Sequence, residues 1–168
     1  MWIVLMLLAL AGAVVHFFVS KQRRSGILMV ELLLLYFLVV AVGLSGLWNF
    51  TGHVFVADTV ARSIGWPTGN PFQFEVGITG LVFATLGILC IWLRGNFWAA
   101  TIIGETVFLW GAGIGHFINA GTTHNYAPSN IGPEILIYDI GLPVILIALG
   151  VVLYYLRRRE SNVYTKTP

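Results

Sequence analysis

The stretch WIVLMLLALAGAVVHFFV, Trp2–Val19, is followed almost at once by Lys21-Gln22-Arg23-Arg24. The apolar run contains no Asp, Glu, Lys or Arg. As a helix rising about 1.5 Å per residue it comes close to crossing the roughly 30 Å hydrocarbon core of a bilayer. A secretory signal peptide carries its positive charge before the apolar segment. Here the charge comes after it, so the run reads as a first spanning helix with its N-terminus outside and the basic cluster in the cytoplasm.

Four more stretches have the same character: Ile27–Phe50, Phe74–Leu93, Phe97–Asn119 and Ile135–Leu156. In lipid every backbone N–H and C=O needs a partner within the structure, which leaves helices or closed barrels. Barrel strands are about half this length and alternate in polarity. The basic residues sort cleanly by connection. Lys21, Arg23 and Arg24 lie between the first two spans, Arg94 lies between the third and fourth, and Arg157, Arg158 and Arg159 follow the fifth. Five spans put all of these on one side and leave Arg62 on the other, which the positive-inside rule reads as N-out and C-in. The expected fold is all-α, a bundle of five transmembrane helices forming one domain over residues 1–160. A disordered cytoplasmic tail is expected over residues 161–168.

Composition agrees. The chain is 58% hydrophobic and 10% charged, against about a quarter charged in ordinary soluble domains. Its net charge of +2 comes from residues flanking apolar runs, so nucleic acid is not an expected partner. The expected partners are the lipid bilayer of a cell (plasma or inner) membrane and, as an option, further copies of the chain in a homo-oligomer. Cys90 is the single cysteine, which excludes an intrachain disulfide and Cys-only metal sites.

The connection between spans two and three is neither polar enough to float free nor apolar enough to span. His53–Ile64 predicts a short interfacial helix, with Asp58 and Arg62 spaced as an i,i+4 ion pair. The connection Ala120–Pro133, rich in Gly, Thr, Asn and Pro, predicts irregular structure. No internal repeat supports an inverted-repeat transporter.

Within the same connection stands Gly65-Trp66-Pro67-Thr68-Gly69-Asn70-Pro71-Phe72-Gln73-Phe74-Glu75-Val76-Gly77, preceded by Gly52-His53. Downstream come Phe108–His116, Tyr138-Asp139 and Pro143. Together these segments resemble a family of small prokaryotic integral-membrane proteins of unknown function. The resemblance implies a prokaryotic membrane location and brings no activity, cofactor or partner.

Ionisable side chains within a bilayer cost several kcal/mol, so each marks a candidate site. Glu105 and His116 on the fourth span are offset by only about 20° around a helix of ~3.6 residues per turn. Asn119 extends the same stripe. On the second span Glu31 and Asn49 share a face, joined by His53 if the helix continues that far. Gly104, Gly111 and Gly115 predict close approach of a neighbour to the fourth span, and Gly77, Gly80, Ala84 and Gly87 form a smooth stripe on the third. His53, Glu75, His116 and Asp139 all fall near the outer helix ends. Three readings of that cluster stand side by side: a hydrogen-bonded network pinning loops, a metal site for a divalent cofactor ion with His53, Glu75, His116 and Asp139 as ligands, and a proton or cation pathway. Glu31, Asn49, Glu105 and Asn119 would line that pathway. Bis-histidine haem ligation by His53 and His116 is a further option. No nucleophile elbow or phosphate-binding glycine loop is present. The functional expectation is binding or passage of a small cation, proton or metal along a polar face of the second and fourth spans. The alternatives are a membrane-embedded metalloenzyme acting on a lipid-soluble substrate and a structural membrane subunit.

Overall fold

The computed structural model of the chain describes residues 1–22 and 24–164. It is helical throughout, with no strand among the described residues. Five helices are long and apolar enough to cross a membrane. α1 is Trp2–Val19. α2 is Gly26–Phe55, begun by Ser25, whose Oγ accepts the Leu28 N–H, as an N-cap hydroxyl does. α3 is the short Ala57–Ile64, α4 is Phe72–Leu89 and α5 is Asn96–Thr123. α6 is one turn, Pro128–Ile131. α7 begins as a π-helix, Ile135–Gly141, and continues as α-helix over Leu142–Tyr164.

Several boundaries differ from expectation. α2 runs on through His53, so the short helix between spans two and three is Ala57–Ile64 alone. It stops at Gly65, whose φ of +79° suits glycine; the Trp66 N–H closes the turn onto Ala61 O, the Schellman bond of a glycine-terminated helix. Asp58 does not pair with Arg62. Its Oδ1 accepts the Gly69 N–H at 2.9 Å, and Arg62 donates to Thr59 Oγ1. That carboxylate pins the following turn instead of bracing its own helix. α5 continues to Thr123 and ends at His124 in the left-handed conformation. Part of the segment expected to be irregular is therefore helical, as is Pro128–Ile131. α7 extends through Tyr164 into the segment expected to be disordered; the rest of that tail, residues 165–168, lies outside the described residues.

α2 is the centre of the bundle, touching α1, α4 and α7. Its seam with α4 is built from the expected glycine stripe. A Cβ on Gly87 would lie 2.5 Å from Leu38 O and 2.6 Å from Gly43 N, and one on Gly80 would lie 2.5 Å from Asn49 Oδ1. The reverse face is equally bare, since a Cβ on Gly46 would meet Gly80 O at 2.5 Å. Two helices in such contact gain backbone-level van der Waals packing, the main source of association where lipid removes the hydrophobic drive. Leu34, Leu38, Val42, Leu142 and Leu146 fill the interior with Trp98 and Ile102. Apolar side chains such as Val15, Ile103, Val107 and Ile118 point outward and are exposed.

α2 also carries a π-helical stretch, Phe37–Leu44. The second one, in α7, is explained locally: Pro143 has no N–H and its ring crowds the carbonyl four residues back, so the helix widens ahead of it. The two π segments meet. Tyr138 Oη in one donates to Ala41 O in the other at 3.1 Å, within the buried core.

α5 leans chiefly on α7 and touches α2 only at its π segment. The second and fourth spans are thus neighbours at mid-length and part towards the end that carries α3 and α6. Space opens between them there.

Candidate functional site

At the opposite, basic end Glu31 Oε1 accepts from Arg94 at 2.8 Å and Glu31 Oε2 from Arg157 at 2.9 Å. The carboxylate expected to line a pathway is therefore held by two guanidiniums from different connections. Between it and Glu105 lie Leu34, Leu38, Trp98 and Ile102, all buried, together with the buried Thr101 hydroxyl. Glu31 is thus set apart at the basic end by its two ion pairs, while Glu105 lies deeper on α5.

At the other end the parted helices enclose a cavity of about 760 Å³. His53, Glu75, His116 and Asp139 all line it, as does Asn49. The convergence expected from sequence is present at that scale. It is not a metal-ligand constellation: among the described residues no three His, Cys, Asp or Glu side chains gather closely enough to hold an ion. Each histidine is turned towards an amide instead. His53 Nδ1 is hydrogen-bonded to the Gln73 side-chain amide at 2.6 Å, and His116 Nδ1–H donates to Asn130 Oδ1 at 2.8 Å. Asn130 Nδ2 is turned to Asn125 O, so its Oδ1 accepts and the His116 proton sits on Nδ1, leaving Nε2 as the other nitrogen.

Around His116 the network continues into the loops. Trp66 stacks on its ring at 5.4 Å between centroids and donates to Asn119 Oδ1 at 3.3 Å. Asn119 Oδ1 also accepts from Asn125 Nδ2, which donates to Ile64 O, and Asn130 Nδ2 donates to Asn125 O. Asn119 is thus a pin between α5, the turn after α3 and the segment before α6. For His116 and Asn119 the loop-pinning reading accounts for the contacts. Asn49 Oδ1 is buried without a hydrogen-bond partner, pressed against Gly80. Glu75 stands at the exposed rim.

The glycines of α5 divide differently from expectation. Gly104 meets only Phe83, while Gly111 and Gly115 have open space where a Cβ would be and line the cavity. The close approach is made by Gly113, whose Cβ would meet Ile140 Cδ1 at 3.0 Å and Asp139 Cβ at 3.3 Å. Of the stripe that looked like a helix–helix seam, Gly104 faces Phe83 of α4 and the other two form a cavity wall.

Asp139 is 8% exposed and Glu105 2% exposed. They lie within electrostatic range of one another, and Tyr138 lies within range of both. Asp139 lines the cavity, whereas Glu105 lies behind its wall. Among the described residues neither carboxyl forms an ion pair, and Glu105 Oε2 has no hydrogen-bond partner. Thr106 Oγ1 is likewise buried and unpartnered, and the buried Ser45 hydroxyl lies against Tyr138. Such groups are ordinarily satisfied, and a buried carboxyl with no counter-charge is the costliest kind to leave so. This arrangement can accept a positive charge.

Trp66, Gln73, Asn130 and Tyr138 have places in the site that sequence alone did not assign. Trp66 and Gln73 sit inside the distinctive segment at residues 65–77, which was the available signal. Asn130 gave none, because its role depends on how α6 folds back onto α5.

No curated protein and no solved structure matches the chain. A family model described as a family of unknown function, DUF6790, matches residues 1–161. That match takes in the first four long helices, nearly all of the fifth and every residue of the site, and the chain belongs to this family of unknown function.

Proposed function

We propose that the protein is a multi-pass membrane protein that binds a small cation or a proton at Glu105 and Asp139. The observation that carries this is the pair itself: two nearly buried carboxyls in mutual electrostatic range with no cationic partner among the described residues. A bilayer makes uncompensated charge there unfavourable, so a proton or cation is the natural complement. The positive-inside rule places the basic end, with Glu31, Arg94 and Arg157, in the cytoplasm and the cavity on the outer side of a cell membrane. α3 then lies at the outer interface. A metalloenzyme is less well supported, since no cluster of His, Cys, Asp or Glu ligands forms among the described residues.

Infrared difference spectroscopy on the purified protein in lipid tests the reading. Titration with acid, and separately with Na⁺ and K⁺, should change carboxyl bands that disappear in Glu105→Gln or Asp139→Asn. Glu105→Gln should keep the fold, because an amide fits the same space, whereas Glu105→Leu should also lower thermal stability. Bands that respond to neither titration, or that survive both amide substitutions, would refute it.

A further inference from the structure

The cavity is larger than an inorganic ion requires. Its volume of about 760 Å³ falls within the roughly 300–1,000 Å³ of sites for drug-sized ligands. Its walls are aromatic: Trp48, Trp66, Phe72, Phe108 and Tyr138 all contribute. Three carboxyl side chains line it, Glu75, Glu134 and Asp139, and among the described residues no Lys or Arg does. Their situations differ. Glu75 is exposed at the rim, and Glu134 lies 3.4 Å from the amine of Met1. Asp139 is buried, unpaired and at the cavity wall.

We propose that the cavity binds an organic ammonium ion, its charge against Asp139 and its apolar body among the aromatic rings. The proposal deepens, and rests on, the reading of Asp139 and Glu105 as a cation site. Aromatic faces carry negative electrostatic potential and attract ammonium groups, most strongly where water is excluded. A carboxylate beneath them supplies the full charge. An anionic ligand would find no Lys or Arg among the described lining residues, and the Met1 amine beside them already faces Glu134. A neutral lipid would bury Asp139 with no partner. A bare metal ion would leave most of the aromatic volume empty and meet no ligand cluster.

The route in follows from the parted helices. Trp48 on α2 is 50% exposed and Val107 on α5 is 70% exposed, yet both line the cavity. The opening therefore lies between α2 and α5, one helical turn or less from Glu105 along the chain, at the depth of the bilayer. A hydrophobic amine partitioned into the membrane reaches Asp139 through that gap. The other ionisable groups around the cavity are the Met1 amine, His53 on α2, Glu75 on α4, His116 on α5 with Glu105 behind, and Glu134 before α7.

The test compares shape with charge, using the full chain in phosphatidylcholine nanodiscs at one fixed pH. Three probes are titrated by calorimetry: benzyltrimethylammonium, its uncharged carbon isostere neopentylbenzene, and benzenesulfonate. Saturable binding of the ammonium is expected, with both other probes at least about tenfold weaker. Asp139→Asn should weaken the ammonium by roughly tenfold or more and leave the isostere unchanged. Equal affinity for the ammonium and its isostere in the unsubstituted protein overturns the proposal, as does full ammonium affinity in a folded Asp139→Asn. Should Asp139→Asn not fold, the probe comparison in the unsubstituted protein decides alone. If infrared spectra show Glu105 and Asp139 binding protons or Na⁺ while the ammonium does not bind, this proposal fails and the cation site stands. If neither happens, both fail.

Discussion

Gly87 and Gly111 look alike in sequence, each a helical glycine within an apolar span, and should respond in opposite ways to the same added methyl. In Gly87→Ala the new Cβ would sit 2.5 Å from Leu38 O and 2.6 and 2.7 Å from Gly43 N and Cα. All three obstacles are backbone of the π segment, so no side-chain rotation relieves the overlap. α2 and α4 must separate along their tightest seam. Overpacking costs about 1–3 kcal/mol in well-packed interiors, and contact with backbone places this case at the upper end. Removing a helical glycine returns roughly 0.5–1 kcal/mol. The overlap wins, and a net loss of about 2 kcal/mol is expected for Gly87→Ala. In Gly111→Ala the Cβ meets nothing within 4 Å, so only the helix term remains and stability should hold or rise by up to about 1 kcal/mol. Both variants can be compared by reversible unfolding in mixed micelles. Equal destabilisation would show that Gly111 faces a packed helix and that the cavity wall is misplaced. A neutral Gly87→Ala would show that α2 and α4 do not meet as described.

Two further outcomes follow. A topology reporter fused after Pro168 should be active in its cytoplasmic form and one inserted at Thr122 in its external form, and the reverse at both positions would sink the N-out, C-in orientation. Tyr138→Phe should cost about 1 kcal/mol, the net worth of an ordinary buried hydrogen bond, and should speed amide exchange in the π segment of α2, whose Ala41 carbonyl loses its donor; unchanged exchange there would show that the two π segments are not coupled through this bond.

The spans were legible because a bilayer imposes one dominant rule on sequence. Length without charge, and basic residues gathered into alternate connections, are both local counts, and five apolar runs became five long helices. The stripe Gly77, Gly80, Ala84 and Gly87 was legible for a related reason: small residues at helical spacing are worth little facing lipid. The same rule misled at Gly111 and Gly115. A bare helix face looks identical in sequence whether another helix or an empty cavity lies against it. The difference is set by how far α5 leans towards α7 and away from α2, a property of the whole bundle. Helix ends were harder still. α2 runs past Asn49 to Phe55, and α5 runs past Asn119 to Thr123, because polar residues near a membrane surface continue a helix as readily as they stop one.

At the site, sequence grouped the acids by helix face and depth, and each criterion failed once. Face placed Glu31 with Asn49, yet Glu31 is close enough to the basic end for Arg94 and Arg157 to claim it. Depth placed Asp139 at the outer surface, apart from Glu105, yet the two lie within electrostatic range. The cause is local. Pro143 forces the helix ahead of it to widen, and the widened turns carry Tyr138 and Asp139 inward against Ala41 and Gly113. An ideal helical wheel cannot represent a turn with an extra residue, so regular geometry does not give the direction of side chains just before Pro143. The proline was visible in the sequence; its effect on the direction of the Asp139 carboxyl depends on the second π segment that it packs against. The site therefore exists where two irregular helices meet, and regular geometry reads each of them least well at that point.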